Sequence, residues 1–193
     1  MKIAIIRYNA GNIESVRNAL IKLGVEPLIT GNPQTIQNAD KVIFPGVGEA
    51  SSAMAYLRYQ QLDKMLLSLE QPVLGICLGM QLMCDFSSEG NTKCLGLIPG
   101  QVEKFTVPKK VPHMGWNQIR NLKSPVFKGI EDDSYVYFVH SYYVGENNYT
   151  IAASDYETNF SAALHYENYY ATQFHPEKSG VTGMRILKNF IEL

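Results

Sequence analysis

Cys77 is the residue around which chemistry in this chain could be organised. It lies between an apolar run at residues 73–76 and a second apolar stretch that extends through Met83 and Phe86. Glycines stand two residues before and two residues after it, which is the G-x-C-x-G form of a nucleophile elbow, a strained strand-to-helix turn. Such a turn lifts the sulfur above the sheet, and the following helix N-terminus favours the thiolate. The alternative is an inert, buried cysteine at a tight turn.

A histidine and a glutamate near the C-terminus could serve this thiol. The motif Q-F-H-P-E occupies residues 173–177 and follows a predicted strand. His175 and Glu177 are two positions apart on an extended segment, so their side chains point the same way. A carboxylate beside the imidazole fixes its tautomer, and the imidazole can then take a proton from Cys77 and return it to a leaving amine. Three other histidines are competing bases, with His140 next in order, followed by His113 and His165.

The motif P-G-V-G at residues 45–48 could supply the third component of an acyl-transfer site. It ends a predicted strand, and acyl transfer requires N–H groups that bind the developing oxyanion. We expect these donors to be the backbone N–H groups of Val47 and Leu78. A glycine-rich turn could instead bind phosphate, although the chain has neither a G-x-G-x-x-G nor a P-loop pattern. A tight turn without any function is the other alternative.

The composition excludes several classes of function. The 193-residue chain has a net charge of −1 with 18% charged residues, so it has no basic surface that would indicate nucleic-acid binding. No apolar run approaches the ~18 residues that span a bilayer, and the first apolar run is too short for a signal peptide. The chain has three cysteines, an odd number that argues against a disulfide framework, and their spacing does not match a zinc site. We therefore expect a cytoplasmic protein with no metal, no other cofactor, no membrane association and no nucleic-acid partner.

The elements that must position these residues predict an α/β fold. Predicted strands at residues 2–6, 25–29, 41–44 and 73–76 alternate with helices at residues 13–23, 49–58 and 60–69, as in a doubly wound parallel sheet. The second half contains short strands instead, at residues 101–107, 134–139, 149–154, 161–165 and 169–173, and then a helix at residues 181–193. These strands predict either an antiparallel extension of the same sheet or a small second sheet. No linker or repeat interrupts the chain, so we predict one domain, residues 1–193.

Three motifs occur in an order that resembles a known family. P-G-V-G at residues 45–48, G-I-C-L-G-M-Q at residues 75–81 and F-H-P-E at residues 174–177 together resemble the class I (triad) glutamine amidotransferases. Two further stretches, G-N-I-E-S-V at residues 11–16 and P-H-M-G-W-N at residues 112–117, are similar to those of the glutaminase subunits of imidazole glycerol phosphate synthases. The resemblance covers the whole chain. It implies a class I glutamine amidotransferase-like, mostly parallel sheet flanked by helices.

The resemblance also implies roles for individual residues. Cys77 would be the nucleophile, His175 the general base and acid, and Glu177 the residue that orients His175. The resemblance implies that glutamine is hydrolysed through a thioester on Cys77, with release of ammonia. It implies that Gly46, Gly48, Gln81, Ser141 and Tyr142 hold the substrate L-glutamine. Lys178 and Trp116 would face a partner subunit, although core packing is an equal alternative for Trp116.

The implied partner is a (β/α)8-barrel cyclase that forms a heterodimer with the chain. That cyclase would use the ammonia on a phosphoribulosyl-formimino nucleotide, giving imidazole glycerol phosphate and an aminoimidazole carboxamide ribotide in histidine biosynthesis. The resemblance implies that the chain is nearly inactive alone, and we expect rotation of the Val47 peptide between Gly46 and Gly48 to act as the switch. The competing classes are a free-standing thiol hydrolase and a catalytically inactive binding subunit.

One loop departs from the family pattern. Arg7 and Asn9 stand where the family often has Asp and Gly. We expect this loop to face the partner and not to hold the triad. The departure therefore bears on which molecule accepts the ammonia, and not on glutamine hydrolysis. The alternative acceptor is a nucleotide-activated sugar, which a paralogous glutaminase would supply with ammonia for amidination.

Overall fold

A computed structural model describes residues 1–9 and 11–193 of the protein. In chain order the strands are β1 (Ile3–Ile6), β2 (Leu28–Thr30), β3 (Lys41–Gly46), β4 (Val73–Cys77), β5 (Phe86–Ser87), β6 (Thr92–Lys93), β7 (Gln101–Lys104), β8 (His113–Ile119), β9 (Ser134–His140), β10 (Tyr142–Val144), β11 (Thr150–Asp155), β12 (Asn159–Tyr166) and β13 (Tyr169–Thr172). The helices are α1 (Ile13–Lys22), α2 (Pro33–Gln37), α3 (Ala50–Tyr59), α4 (Leu62–Leu67), α5 (Leu78–Met83) and α6 (Gly180–Ile191).

A central seven-stranded sheet has the order β11-β12-β13-β4-β3-β1-β2. Its five strands from β13 to β2 are parallel, and β12 and β11 extend the sheet in antiparallel fashion. Two small sheets accompany it, one of four strands (β10-β7-β5-β6) and one formed by β8 and β9. The predicted α/β class is therefore confirmed, and both expected arrangements of the second half occur together.

Both faces of the parallel strands are covered, which explains their continuous apolar sequences. Alternate residues of β1 belong to different buried clusters: Ala4 and Ile6 to one, and Ile3 and Ile5 to the other. Helices α3, α4 and α5 contribute to the first cluster, and α1 and α6 contribute to the second. Because β3, β4 and β13 are parallel neighbours, their carboxyl ends meet at one edge of the sheet, where Cys77 is the last residue of β4.

In the N-terminal half, one predicted strand boundary is wrong and one helix was missed, each for an identifiable reason. The strand predicted at residues 25–29 begins only at Leu28, because Pro27 lacks an N–H group and the Val25 N–H donates to Leu20 at the end of α1. Helix α2 was not predicted, although Asn32 caps it by accepting a hydrogen bond from the Thr35 N–H. The Asn32-Pro33 pair is a helix-start signal as well as a turn signal.

Other differences lie close to Cys77. Strand β3 continues through Pro45 and Gly46, where a break was predicted, and Gly46 pairs with Cys77. The helix after Cys77 ends at Met83 instead of continuing through Phe86, because the backbone becomes extended at Cys84. Phe86 is instead part of β5. Strands β6, β8 and β10 were also not predicted. In the described ranges, no helix has the length and apolar character required to cross a membrane.

Candidate active site

The elbow at Cys77 has the strained geometry that its glycines predict. Cys77 has φ +55° and ψ −107°, a conformation that a non-glycine residue rarely adopts. A Cβ atom at Gly75 would lie 2.7 Å from Met83 Sδ, and one at Gly79 would overlap the Phe44 carbonyl oxygen. Both glycines are therefore required because α5 crosses β3 and β4 at backbone contact distance.

His175 lies beside Cys77, where a short 3₁₀ turn, Pro176–Lys178, follows β13. Its backbone N–H donates to Tyr137 O (2.9 Å), and Ser179 Oγ donates to His175 O (2.6 Å). The Nδ1 atom is 2.8 Å from Glu177 Oε1, and both side chains are almost completely buried, at 1% and 0% exposure. Burial lowers the pKa of His175, but the neighbouring Cys77 sulfur and Glu177 carboxylate raise it more, so the pKa rises to about 10. The geometry thus favours an imidazolium at His175, between the Cys77 sulfur and the Glu177 carboxylate.

Glu177 is held by a residue from the other end of the chain. Asn12 Nδ2 donates to Glu177 Oε1 over 3.0 Å, so the loop before α1 contributes directly to the triad. The expectation that this loop does not hold the triad is therefore wrong. Arg7 and Asn9, the two residues that depart from the family pattern, are exposed, and neither is hydrogen-bonded to the triad residues.

The other histidines are engaged elsewhere. His140 Nδ1 lies 2.7 Å from Tyr142 O, and its Nε2 lies 3.0 Å from His113 Nδ1, so both nitrogens of His140 have partners. Burial lowers the pKa of His140 to about 3 and that of His113 to about 4. His165 stacks on Tyr170 and is bonded to Glu167 O. None of these three is placed as the base for Cys77.

A cavity of about 280 Å³ opens in front of Cys77. Most residues predicted for the oxyanion hole or for glutamine binding line it: Val47, Gly48, Leu78, Gln81, Ser141 and Tyr142. Gly46 is the exception, because it is packed inside the fold, where a Cβ atom would come within 2.8 Å of the Leu78 side chain. The structure therefore gives Gly46 a packing role, and its contact with the substrate stays a prediction.

The cavity also contains residues that the sequence did not single out. Glu89 is the acidic one, and its Oε2 accepts a hydrogen bond from the Ala50 N–H over 2.8 Å. Burial raises the pKa of Glu89, and the Ala50 hydrogen bond opposes that effect. Glu89 lies in a short 3₁₀ turn outside every recognised motif, so only the folded structure reveals it. Val139 is the other such residue, and Pro112 and His140, which the sequence analysis did name, complete the wall.

The two residues predicted to face a partner are exposed and belong to one surface. Trp116 is 55% exposed, so it is not a core residue, and its ring lies against Tyr137 and next to Gly180. Lys178 is exposed two residues before Gly180. On β8, Met114 shares the face of Trp116 and is 62% exposed. Val139 lies opposite Met114 and lines the cavity, so this surface borders the site.

A metal centre is a different possibility for clustered side chains. Among residues 1–9 and 11–193, no group of three or more His, Cys, Asp or Glu side chains is arranged to hold a metal ion.

A strained thiol elbow with a buried His–Glu pair, on a parallel sheet, defines a class of enzyme. The family model "Glutamine amidotransferase class-I" matches residues 4–193. Solved structures share the fold: a GMP synthase-type protein from Thermoplasma acidophilum (TM-score 0.76, 20% identity, covering 100% of this chain and 92% of that one) and PurLQS from Thermotoga maritima (TM-score 0.76, 15% identity, covering 99% and 97%).

Curated relatives narrow the class. The subunit HisH of imidazole glycerol phosphate synthase from Bacteroides fragilis is 59% identical, and HisH from Bacteroides thetaiotaomicron is 55% identical, each over 100% of both chains. HisH from Haemophilus influenzae is 47% identical over 100% of this chain and 98% of its own. The chain therefore belongs to the class-I glutamine amidotransferase family and, within that family, to the HisH group.

Proposed function

We propose that this glutamine amidotransferase hydrolyses L-glutamine through a thioester on Cys77. The observation that carries the proposal is the buried His175–Glu177 pair beside a thiol that opens into a cavity. The thiolate would attack the side-chain amide carbon, and His175 would give a proton to the amide nitrogen as the carbon–nitrogen bond breaks. Water would then attack the thioester while His175 accepts its proton. These steps release ammonia and then glutamate, and they restore the thiolate.

Two backbone N–H groups would stabilise the oxyanion in both steps. Leu78 begins α5, and the first N–H groups of a helix have no partner within the helix. Val47 follows Gly46, which pairs with Cys77, so it lies at the edge of the same cavity. Gly48 has φ +113°, a conformation that disfavours a side chain and leaves the neighbouring Val47 peptide room to turn. Rotation of that peptide would add or remove one of the two donors.

The polar groups of the cavity fit the α-amino acid end of glutamine. Gln81 uses its Nε2 atom to donate to Tyr142 O and Gln173 Oε1, so its Oε1 atom can accept a hydrogen bond from a ligand. Glu89 adds a carboxylate on the same wall. Together these acceptors would hold the α-ammonium group, while Gly48, Ser141 and Tyr142 would contact the remainder of the substrate.

Replacing Glu89 by glutamine tests this orientation of the substrate. We expect KM for glutamine to rise roughly tenfold or more, because a charge-assisted hydrogen bond contributes about 1.5–3 kcal/mol, and we expect kcat to change much less. Steady-state glutaminase kinetics measure both quantities. Glu103→Gln, at an exposed position of strand β7, is the matched control and should leave KM unchanged. An unchanged KM in Glu89→Gln would place the ammonium group elsewhere.

The ammonia would pass to a (β/α)8-barrel cyclase bound at the surface formed by Lys178, Trp116 and Met114. Exposed apolar side chains next to the cavity support this placement, since apolar patches mark interaction sites. The HisH relatives are subunits of imidazole glycerol phosphate synthase, which supports the choice of partner. The acceptor would be the phosphoribulosyl-formimino nucleotide of histidine biosynthesis, giving imidazole glycerol phosphate and an aminoimidazole carboxamide ribotide.

Glutaminase kinetics with and without the cyclase test the function and its control by the Val47 peptide. We expect the lone chain to hydrolyse glutamine slowly. In the complex with the cyclase and its nucleotide ligand, kcat should be higher by ~10²–10³, which is the effect of one oxyanion donor. KM should change much less. Full activity of the lone chain would rule out the switch.

Lys178→Ala should weaken cyclase binding, and unchanged affinity would remove Lys178 from the interface. Activation by an enzyme that amidates a nucleotide-activated sugar, and not by the cyclase, would favour the alternative acceptor.

A further inference from the structure

A continuous chain of hydrogen bonds, through side chains and one backbone carbonyl, connects the β8–β9 hairpin to the sulfur of Cys77. At the inner end, Gln173 Nε2 lies 3.8 Å from Cys77 Sγ, and Gln173 Oε1 accepts from Gln81 Nε2 over 3.0 Å. Gln81 Nε2 also donates to Tyr142 O over 3.1 Å. Tyr142 O in turn lies 2.7 Å from His140 Nδ1, and His140 Nε2 lies 3.0 Å from His113 Nδ1. Asn117 Nδ2, 3.4 Å from His113 Nε2, is the outer end.

The carbonyl of Tyr142 fixes the orientation of both glutamine amides. A carbonyl oxygen can only accept, so the Gln81 atom beside it must be the NH₂ nitrogen. The same nitrogen then donates to Gln173, which means that Gln173 presents its oxygen to Gln81. The NH₂ group of Gln173 is therefore left to face Cys77 Sγ. Gln173 is completely buried, at 0% exposure, so no water competes for this amide.

The same carbonyl fixes the tautomers of the two histidines. His140 Nδ1 must carry its proton to donate to Tyr142 O, so neutral His140 has an accepting Nε2. His113 Nδ1 must then donate to it, which leaves His113 Nε2 to accept from Asn117. Every donor meets an acceptor, and burial keeps both rings neutral because it lowers the pKa of each.

We propose that Gln173 is a further catalytic residue, whose amide N–H stabilises the thiolate of Cys77, and that His140 and His113 are positioning residues that hold Tyr142 O and thereby the amide. This inference rests on the proposed thiolate chemistry. In the neutral thiol, Cys77 Sγ donates to the carbonyl oxygen of Val139 over 3.7 Å, and that oxygen would repel the thiolate. The Gln173 donor compensates for that oxygen and keeps the sulfur aimed into the cavity.

Other ionisable groups also face Cys77 and are common to every variant in the test. His175 and Glu177 act from the segment after β13. Tyr8 acts from the loop after β1, where its buried hydroxyl lies close to Gly46, and burial followed by the negative charge of Cys77 raises its pKa. His140, on β9, lines the same cavity as Cys77. Because the substitutions below leave these four groups in place, a change in thiol reactivity reports on the amide.

The test is the pH dependence of Cys77 alkylation by iodoacetamide in the full chain, with Gln173→Met as the main variant. Methionine has a similar length and no donor, so we expect the alkylation rate at neutral pH to fall roughly tenfold and its midpoint to rise by about one pH unit. Gln173→Glu places a carboxylate near the sulfur and should reduce the rate further. Glutaminase kcat should fall in the same order, with KM changing less.

The other two thiols do not obscure the measurement. Burial raises the pKa of Cys94 to about 11 and raises that of the fully buried Cys84. Gln34→Met, on the exposed side of α2, is the matched control and should behave like the unmodified protein. Thermal unfolding by circular dichroism verifies that each variant is folded. An unchanged midpoint in folded Gln173→Met would overturn the role of the amide.

His113→Phe tests the outer part of the chain. Phenylalanine can keep the stacking on Tyr156, whose ring centroid lies 4.1 Å away, while the bond to His140 is lost. We expect a shift of the alkylation midpoint in the same direction as in Gln173→Met, but smaller. A folded variant with an unchanged midpoint would overturn the positioning role of the histidines. Alkylation does not require glutamine, so a protein that shows these shifts but no glutaminase activity with its partner would contradict the proposed function alone.

Discussion

Replacing Cys77 by alanine should reduce glutaminase activity by at least ~10⁴-fold, while glutamine binding and the fold persist. The expected loss is this large because Cys77 supplies the one thiol among the described residues that line the cavity, and the thioester cannot form without it. Ammonium salts should restore synthesis by the complex with the cyclase, since only the source of ammonia is lost. The measurement is glutamate release by the complex, together with glutamine binding by calorimetry.

The same variant tests the charge of His175. The pKa of His175 is raised partly by the Cys77 sulfur, so its pKa in Cys77→Ala should fall below that of the unmodified protein in an NMR titration. Cys84→Ala is the matched control, because Cys84 is buried away from the cavity and should not affect turnover beyond its packing effect. Labelling of Cys84 or Cys94 by a glutamine-analogue affinity reagent, with Cys77 unmodified, would contradict the assignment of the nucleophile.

Replacing His175 by asparagine should lower kcat by ~10³–10⁴-fold, because one residue serves as base in one step and acid in the other. Asparagine is similar in size. The His175 backbone also stays held, because its N–H donates to Tyr137 O and its carbonyl oxygen accepts from Ser179 Oγ, so the fold should survive. Steady-state kinetics of the complex over a range of pH measure the loss. Glu177→Gln should have a smaller effect, since the imidazole remains.

His165→Asn is the control for this experiment, because that ring lies outside the cavity, stacked on Tyr170. Its turnover should equal that of the unmodified protein. Near-normal turnover in His175→Asn would contradict the assignment of the base. His140 could not readily take over the role, since both of its ring nitrogens are already hydrogen-bonded.

Much of the local geometry at Cys77 could be predicted, because it follows from short-range constraints. Glycines at positions 75 and 79 are required by the crossing of α5 over the sheet, and that requirement is visible in a five-residue pattern. His175 and Glu177 do lie side by side as predicted, but the prediction of an extended segment is wrong, because Pro176–Lys178 form a 3₁₀ turn. The parallel sheet was predictable from alternating apolar strands and helices.

The missed features depend on long-range contacts. Asn12 approaches Glu177 only in the folded chain, and nothing near Asn12 in the sequence indicates that pairing. Glu89 enters the cavity because the small sheet containing β5 folds back after Met83, where apolar spacing had favoured a longer helix. Apolar Phe86 satisfies the helical pattern equally well, so periodicity could not locate the end of α5.

The position of β13 in the sheet has a consequence for how the enzyme is made. This strand lies between β4 and β12, so β4 lacks one of its parallel neighbours until residues near the end of the chain have been synthesised. Pairings between such distant segments form slowly, after the local units. A nascent chain on the ribosome that ends before β13 carries the thiol but neither its base nor the orienting carboxylate. Ammonia release would therefore begin only after residues 169–177 have emerged from the ribosome.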